Sequence, residues 1–404
     1  MDMNYSKDDL EFRDEVRAFL DEKLDEKFIK GLNQTPGVFV EPDELGMEWH
    51  TIMYEQGWIT PDWPVEYGGT AWTPMQSYIF EKEMAERSVP RPSPISIKLI
   101  GPVLCEYGTE QQKAKFLPRI RSGEDLWAQG YSEPGSGSDL ASLSMRAEKK
   151  GDKYILNGSK IWTTHGHYAN WIFCLVRTSQ EEQKQKGISF ILVPIDQEGI
   201  TVSPIISMSG DHEVNQVFFD NAETSIENLI GEEGQGWDIA KFLLQNERGG
   251  SCFAPKLKAK IKKMESEAGN IKGNDGSPMI KDKDFMTRLA KLKLRAKALD
   301  YIELGIQANL AKGRPPGPAT SLTKFTAANL TQDVQKLHNE LFGYNGLQLP
   351  YERPLYGDNA PQPIGCNSSQ ISLAALLNGR ASTIYGGSNE VQKNIIAKRI
   401  LGLR

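Results

Sequence analysis

The chain has few of the residues that mark disulfide scaffolds and metal sites. Its 404 residues include only four cysteines and five histidines. The cysteines, at positions 105, 174, 252 and 366, lie far apart and show neither a disulfide framework nor metal-ligand spacing. His165 and His167 are separated by one residue, but no acidic or cysteine partner stands beside them, so no metal site is expected. This cysteine usage predicts a reducing, cytoplasmic location.

Long apolar runs and an excess of positive charge are also missing. No apolar run approaches the roughly 18 residues that a membrane span needs, and no secretory signal is visible. The net charge of -6 argues against a broad surface for nucleic acid or membrane. With 39% hydrophobic and 25% charged residues the composition is that of a globular protein, and the length predicts two or three domains.

Residues 1–125 have the apolar spacing and the cap residues of helices. Ser6 precedes an acidic first turn, Thr73 precedes a proline, and Thr109 begins a capping box. These signals predict an N-terminal helical domain.

Periodicity then changes to short β-rich runs. Four of them are predicted as strands, at 153–156, 171–176, 188–193 and 217–219. Asn157-Gly158 predicts a turn between two strands. The sequence therefore predicts a middle antiparallel β-barrel or sandwich over 126–232.

Helical spacing returns over 233–404, with helices predicted at 320–341 and 388–400. A polar stretch at about 266–284 is predicted as an exposed loop. The predicted fold is thus α+β and multidomain, with helices, a β domain and a C-terminal helical bundle in that order.

The segment from Tyr131 to Asp139 is rich in small residues. Gly135, Gly137 and Ser138 allow close backbone approach and several N–H groups directed at a flat or anionic ligand. The segment matches neither phosphate-loop pattern, and an ordinary surface loop fits the spacing equally well.

Four motifs in order resemble the acyl-CoA dehydrogenase family over nearly the whole chain. They are Gly108–Lys113 with its following Leu-Pro, Glu133–Asp139, Leu156–Thr164 and Arg380–Gly402. The resemblance implies the fold just described, FAD as cofactor and α,β-dehydrogenation of an acyl-CoA thioester. It also implies electron transfer to an electron-transferring flavoprotein.

The resemblance assigns site residues by position. FAD contacts are expected from Gln129, Ser132, Gly137, Ser138, Trp162, Thr163, Thr164, Ser388 and Glu390. Substrate contacts are expected from Ser138, Leu244, Gly386 and Gly387. A flavin needs such close backbone approach and hydrogen bonds to tune its electron affinity. Without the resemblance, Trp162 reads as a core aromatic residue.

The catalytic base is not at the family's usual position. That position, after the tyrosine of the C-terminal motif, is Gly386 here. Either the chain is inactive or the base lies elsewhere. Glu247, followed by Arg248, resembles the alternative arrangement in branched-chain, long-chain or steroid-type members. We therefore expect Glu247 to remove the α proton and Arg248 to orient active-site groups, although exposed helix charges are the ordinary reading.

Two further departures concern the cofactor. The region 274–280 lacks the family's Arg-x-x-Phe-Gly, and the later Gln and double-glycine pattern appears with Glu340 and Tyr344. A carboxylate facing the FAD pyrophosphate would repel it. The resemblance to heteromeric members then implies that a second, related subunit supplies these contacts in an α2β2 assembly.

The expected substrate is a bulky, branched or steroid-side-chain acyl-CoA, because Gly386 leaves room beside the Glu247 helix. Two alternatives stay open. One is a non-catalytic partner subunit of a heteromeric acyl-CoA dehydrogenase. The other is an acyl-CoA oxidase or flavin monooxygenase on the same fold.

Overall fold

The computed structural model describes residues 5–32, 39, 41–89, 91–249, 252–350 and 362–403; of these, the side chains of residues 30 and 245–249 are outside the description. The helices that precede the sheet are α1 (Lys7–Lys23), α2 (Glu26–Gly31), α3 (Glu44–Glu55), α4 (Pro74–Glu86), α5 (Gly101–Tyr107) and α6 (Glu110–Ser122), with a π-helix over Ile95–Ile100. Capping boxes at Ser6, Thr73 and Thr109 begin α1, α4 and α6. All three predicted helix starts are confirmed.

One sheet occupies the middle of the chain. Its strands are β1 (Trp127–Gly130), β2 (Arg146–Lys150), β3 (Lys153–Thr164), β4 (Trp171–Arg177), β5 (Ile188–Pro194), β6 (Ile200–Ile205), β7 (Val214–Ser225) and β8 (Leu229–Ile230). The order is β6-β7-β3-β2-β4-β5-β8, and β1 pairs with β4. Most pairs are antiparallel as predicted, but β4 runs parallel to both β1 and β2.

The turn predicted at Asn157-Gly158 is wrong. β3 runs through both residues, and its register against β7 shifts between Leu156 and Gly158. Gly158 has φ +143°, and a β-carbon there would lie 2.9 Å from the side chain of Met145. Glycine therefore permits a bulge inside a long strand rather than a reversal between two strands.

The continuous apolar runs of β4 and β5 are explained by burial on both faces. Phe173, Leu175 and Phe190 pack with the N-terminal helices in one core. Cys174 and Ile191 point to the opposite face, where β3 and β7 close a second core. Alternate side chains of a strand therefore enter different cores, so the runs carry no polar face.

The C-terminal part is helical. It contains α7 (Gly236–Gly249), α8 (Phe253–Ala268), α9 (Lys283–Leu310), α10 (Ala319–Leu341), α11 (Asn367–Asn378) and α12 (Asn389–Arg399). A third core joins α8, α9 and α10. The predicted helices at 320–341 and 388–400 agree with α10 and α12. The predicted loop at 266–284 is shorter than expected, because α8 continues to Ala268 and α9 begins at Lys283.

Candidate active site

The loop from Tyr131 to Asp139 follows β1 directly and presents an open face. Glu133 and Ser136 exchange two backbone hydrogen bonds, each 2.9 Å from nitrogen to oxygen. Gly135 and Gly137 are exposed, and a β-carbon built on either would meet nothing within 4 Å. The glycines are therefore not required by packing inside the chain. Their small size leaves the outer side of the loop accessible to a ligand.

The end of β3 lies against this loop. The N–H of Ile161 donates to the Ser132 carbonyl over 2.9 Å. Trp162 has φ +61° and is 60% exposed, at a register shift between Lys160 and Thr163. A left-handed backbone costs a non-glycine residue about 1–2 kcal/mol, so the exposed indole is held out by a strained bulge. The core reading of Trp162 is wrong, since the side chain faces outward.

These elements fit a flavin. Gln129, Ser132, Trp162 and Thr164 lie on two adjoining segments and are half-buried or exposed. The Thr163 hydroxyl is buried and has no hydrogen-bond partner among the described residues. An accessible aromatic face, small loop residues and an unused hydroxyl together suit a flat ring with polar edges. The residues expected to bind FAD from the β domain are thus brought together.

The C-terminal motif forms a tight turn held by α10. Gly386 and Gly387 have φ +62° and +86°. The buried Lys324 ammonium donates to the Ser382 carbonyl over 3.1 Å and to the Gly387 carbonyl over 2.8 Å. Ser388 accepts from the Val391 N–H and begins α12, and Glu390 is exposed in its first turn. Gly386, Gly387, Ser388 and Glu390 are therefore grouped on one segment.

A carboxylate missed by sequence reasoning lies between these two groups. Glu213 immediately precedes β7, whose Val214 pairs with Thr164. Its side chain accepts from the Asn378 amide over 2.9 Å, at the end of α11. Burial is the main cause that raises the pKa of Tyr385 to about 12, and the negative charge of Glu213 is the second cause. Glu213 and Asn378 are 165 positions apart in the chain, so no local sequence pattern predicts their contact.

Glu247 and Arg248 lie in the last two turns of α7, but their side chains are outside the described part of the chain. Leu244, one turn earlier, is half-buried and packs against the first core. Helix α7 contacts β4, β5 and the π-helix. The backbone of the expected base therefore belongs to a helix that packs on the sheet.

Glu340 and Tyr344, the two residues that depart from the family pattern, are both accessible. Glu340 forms an ion pair with Arg288, on α9. Tyr344 is 92% exposed. Both groups therefore reach the surface of this chain.

The histidines near β3 form a small ring cluster. The rings of His167 and His212 stack with centroids 3.9 Å apart, and Asn215 bonds to both. Burial is the main reason that the pKa of His165 and that of His167 fall to about 4. Among the described residues, no group of three or more His, Cys, Asp or Glu side chains is placed to hold a metal ion.

Family comparisons cover almost the entire chain. Residues 6–124, 128–222 and 234–401 match the N-terminal, middle and C-terminal domains of acyl-CoA dehydrogenases. The chain belongs to the acyl-CoA dehydrogenase family. It is therefore an oxidoreductase of a family whose members are FAD-dependent flavoproteins, as the sequence motifs predicted.

Its similar proteins include named members of this family. It is 35% identical to the acyl-CoA dehydrogenase IpdE1 of Mycobacterium tuberculosis, over 97% of each chain. It is 30% identical to FadE26 of the same organism, over 100% of this chain and 99% of that one.

Two solved structures are similar over their full length. One is the ChsE4-ChsE5 complex from Mycobacterium tuberculosis, with a TM-score of 0.83 and 28% identity, covering 100% of both chains. The other is the Tcur3481-Tcur3483 steroid ACAD, also with a TM-score of 0.83 and 100% coverage of both chains, at 30% identity.

No helix in the described part of this acyl-CoA dehydrogenase has the length and apolarity needed to cross a membrane.

Proposed function

We propose that this chain dehydrogenates an acyl-CoA thioester between its α and β carbons, with Glu247 as the base. The observation that carries the proposal is the turn at Gly386–Gly387. It offers no carboxylate where the family usually has its base, and Lys324 fixes its course. Glu247 lies on α7, and its sequence context before Arg248 resembles that of the family's alternative base.

FAD would be held by the loop at 131–139, by the strained end of β3 and by the first turn of α12. Gln129, Ser132, Gly137 and Ser138 would contact it from one side, and Trp162, Thr163 and Thr164 from the other. Ser388 and Glu390 would approach from α12. When bound, FAD supplies the acceptor for the hydride that leaves the β carbon.

A thioester α C–H is a weak acid, so the group that removes this proton must be a stronger base than an ordinary carboxylate in water. A carboxylate in a dry pocket has a raised pKa and is a stronger base than one in water. Arg248 would orient Glu247 or the thioester carbonyl. The α proton would move to the Glu247 carboxylate, while hydrogen bonds to the carbonyl oxygen stabilise the developing negative charge.

The substrate we propose is a bulky, branched or ring-bearing acyl-CoA. Gly386 leaves the space of a side chain open, and Ser138, Leu244 and Gly387 would line the rest of the acyl site. The steroid ACAD among the similar structures supports a steroid-type acyl group.

We further propose an α2β2 assembly with a related subunit, of which this chain is the catalytic one. The ChsE4-ChsE5 complex is a precedent among similar structures. Glu340 and Tyr344, which depart from the family pattern at the pyrophosphate site, support it. An electron-transferring flavoprotein would receive the electrons.

The domain limits near residues 125 and 232 and the cytoplasmic location stay predictions.

Glu247→Gln tests the base. We expect the variant to keep FAD but to lose bleaching of the flavin by acyl-CoA, by about 10³-fold or more in rate, because general bases contribute on the order of 10²–10⁴. The matched control is Asp238→Asn in the first turn of α7, an exposed acid paired with Lys241 over 2.6 Å. The control should bleach at the wild-type rate.

Three outcomes would count against the proposal. Unchanged bleaching in Glu247→Gln would move the base elsewhere. A wild-type flavoprotein that no acyl-CoA bleaches would favour the non-catalytic partner subunit. Faster turnover with O2 than with an artificial acceptor would favour an oxidase or monooxygenase.

A further inference from the structure

An ion pair lies buried directly behind the 131–139 loop. The Lys160 ammonium is 2.8 Å from a carboxylate oxygen of Glu133. Lys160 is 0% exposed and Glu133 is 6% exposed. Lysine and glutamate are rarely fully buried, and a buried pair gains little net stability over apolar residues of the same size. Burial of both charges at this place therefore calls for a reason other than stability.

Every polar atom of the pair that the structure describes is used. Besides Glu133, Lys160 donates to the carbonyls of Tyr131 over 3.2 Å and Leu175 over 2.7 Å. Glu133 accepts from the Ser144 N–H at 2.7 Å, the Ser144 hydroxyl at 3.0 Å and the Met145 N–H at 3.0 Å. Although burial opposes ionisation, the Lys160 charge and these N–H groups hold the pKa of Glu133 below its usual value. A fully satisfied network of this kind fixes one geometry.

The pair joins the two segments that carry the flavin residues. Glu133 belongs to the loop and follows Ser132. Lys160 belongs to β3 and stands two residues before Trp162, at the register shift. The Lys160 contact to the Tyr131 carbonyl and the Ile161–Ser132 backbone bond lie side by side. A strained residue persists only where its surroundings over-determine it, and the buried pair constrains the backbone two residues before Trp162.

We propose that Glu133 and Lys160 are positioning residues for FAD. The pair locks the loop onto β3, so that Ser132 and Ser138 on one side and Trp162 to Thr164 on the other meet the flavin at a fixed separation. Neither side chain touches the cofactor, because both are enclosed by the sheet. This inference rests on the proposed function only in assuming that FAD binds at these segments.

The test distinguishes a role of the pair in FAD binding from a role in the stability of the fold. Lys160→Met alone leaves a buried carboxylate without its cation and is expected to lower thermal stability and FAD retention together. Lys160→Met with Glu133→Gln removes both charges but keeps a side-chain oxygen that can accept from the Ser144 and Met145 N–H groups, so stability should recover. Lys153→Met is the matched control, because it removes an exposed pair with Glu223 from the same strand.

The wild type and variants are prepared with any partner subunit that the wild type needs. FAD affinity is titrated on deflavinated protein by fluorescence quenching, and the flavin absorbance spectrum, midpoint potential and Tm are recorded. In the double variant we expect Tm to return toward wild type while FAD binding stays at least about tenfold weaker, roughly the effect of one lost hydrogen bond. The spectrum and potential should also stay shifted. The control should match wild type throughout.

If affinity, spectrum and potential recover with Tm in the double variant, the pair is only structural and the inference is wrong. If Lys160→Met changes none of them, the inference is also wrong. Both results leave the proposed dehydrogenation intact. A wild-type protein that binds no FAD under any condition would instead overturn the proposed function, and the inference with it.

Discussion

Gly386 matters through its backbone as well as through its missing side chain. Its φ of +62°, followed by +86° at Gly387, lies in the left-handed region, and the Lys324 ammonium closes the turn. The space that the family fills with a glutamate is therefore bounded here by a bare turn. Under the proposed function, one residue type at this position decides both the room for the acyl group and the course of the chain.

We expect Gly386→Ala to lower the free energy of unfolding by about 1 kcal/mol, because a β-carbon disfavours a left-handed backbone. Gly305→Ala is the opposite case. Gly305 lies inside α9, and its added β-carbon would meet nothing within 4 Å. That change should stabilise by about 0.5–1 kcal/mol. Denaturant unfolding measures the change in the free energy of unfolding for both variants. If Gly386→Ala stabilised the protein as Gly305→Ala is expected to do, the interpretation of Gly386 would be wrong.

Between elements, the start of α8 is capped by a side chain from α9. Cys252 precedes α8 and makes no side-chain cap. Instead the Glu303 carboxyl accepts from the N–H of Phe253 over 2.9 Å and from that of Ala254 over 3.1 Å. Burial is the main cause that raises the pKa of Glu303 to about 8. A helix end near the predicted active site thus depends on a titratable group.

This contact predicts a pH dependence of stability. Between about pH 4.5 and 8 the folded protein keeps a proton on Glu303 that the unfolded chain has released, so its contribution to the free energy of unfolding falls as pH rises. Glu303→Gln is neutral throughout and keeps an acceptor for both N–H groups. We expect Tm to fall less between pH 5.5 and 8 in this variant than in wild type.

Glu265→Gln is the control for the pH experiment, because Glu265 on α8 forms a surface pair with Lys293. It should keep the wild-type pH slope. An unchanged slope in Glu303→Gln would show that this carboxyl is ionised in the folded state over the whole range.

At the scale of the whole molecule, the two regions of the proposed FAD site differ in how well their residues suit the cofactor. The loop at 131–139 and the end of β3 are built for a flat ligand, whereas Glu340 on α10 presents a carboxylate where the family has an amide. Like charges disfavour the pyrophosphate there. In the proposed α2β2 assembly, the partner subunit would therefore determine how many FAD molecules bind per chain.

We expect the wild-type chain expressed alone to bind clearly less than one FAD per chain, and Glu340→Gln with Tyr344→Gly to raise that ratio. Removing the carboxylate lessens repulsion of the pyrophosphate, and glycine at 344 allows closer backbone approach. Protein and flavin absorbance give the ratio. Arg288→Met is the control, because it breaks the Arg288–Glu340 pair but leaves the carboxylate. A fully loaded wild-type homo-oligomer would refute the α2β2 proposal.

Prediction from sequence succeeded where the signal is local. The caps at Ser6, Thr73 and Thr109 were readable because the bonds they make span three residues. It failed at Asn157-Gly158, where a dipeptide common in turns serves a bulge instead. Half of the strands, β1, β2, β6 and β8, were not predicted. β1 and β8 are only four and two residues long, β2 is almost entirely polar, and β6 contains Pro204.

The sequence by itself determined the family, the succession of helices, sheet and helices, the loop at 131–139 and the absence of a carboxylate at position 386. These follow from residue identity and short-range spacing. Only the tertiary structure decided that Trp162 faces outward on a strained bulge, that Lys160 and Glu133 are buried together, and that Glu213 meets Asn378. Such facts depend on which distant segments pack against each other, because desolvation and pairing are properties of that packing rather than of the residues alone.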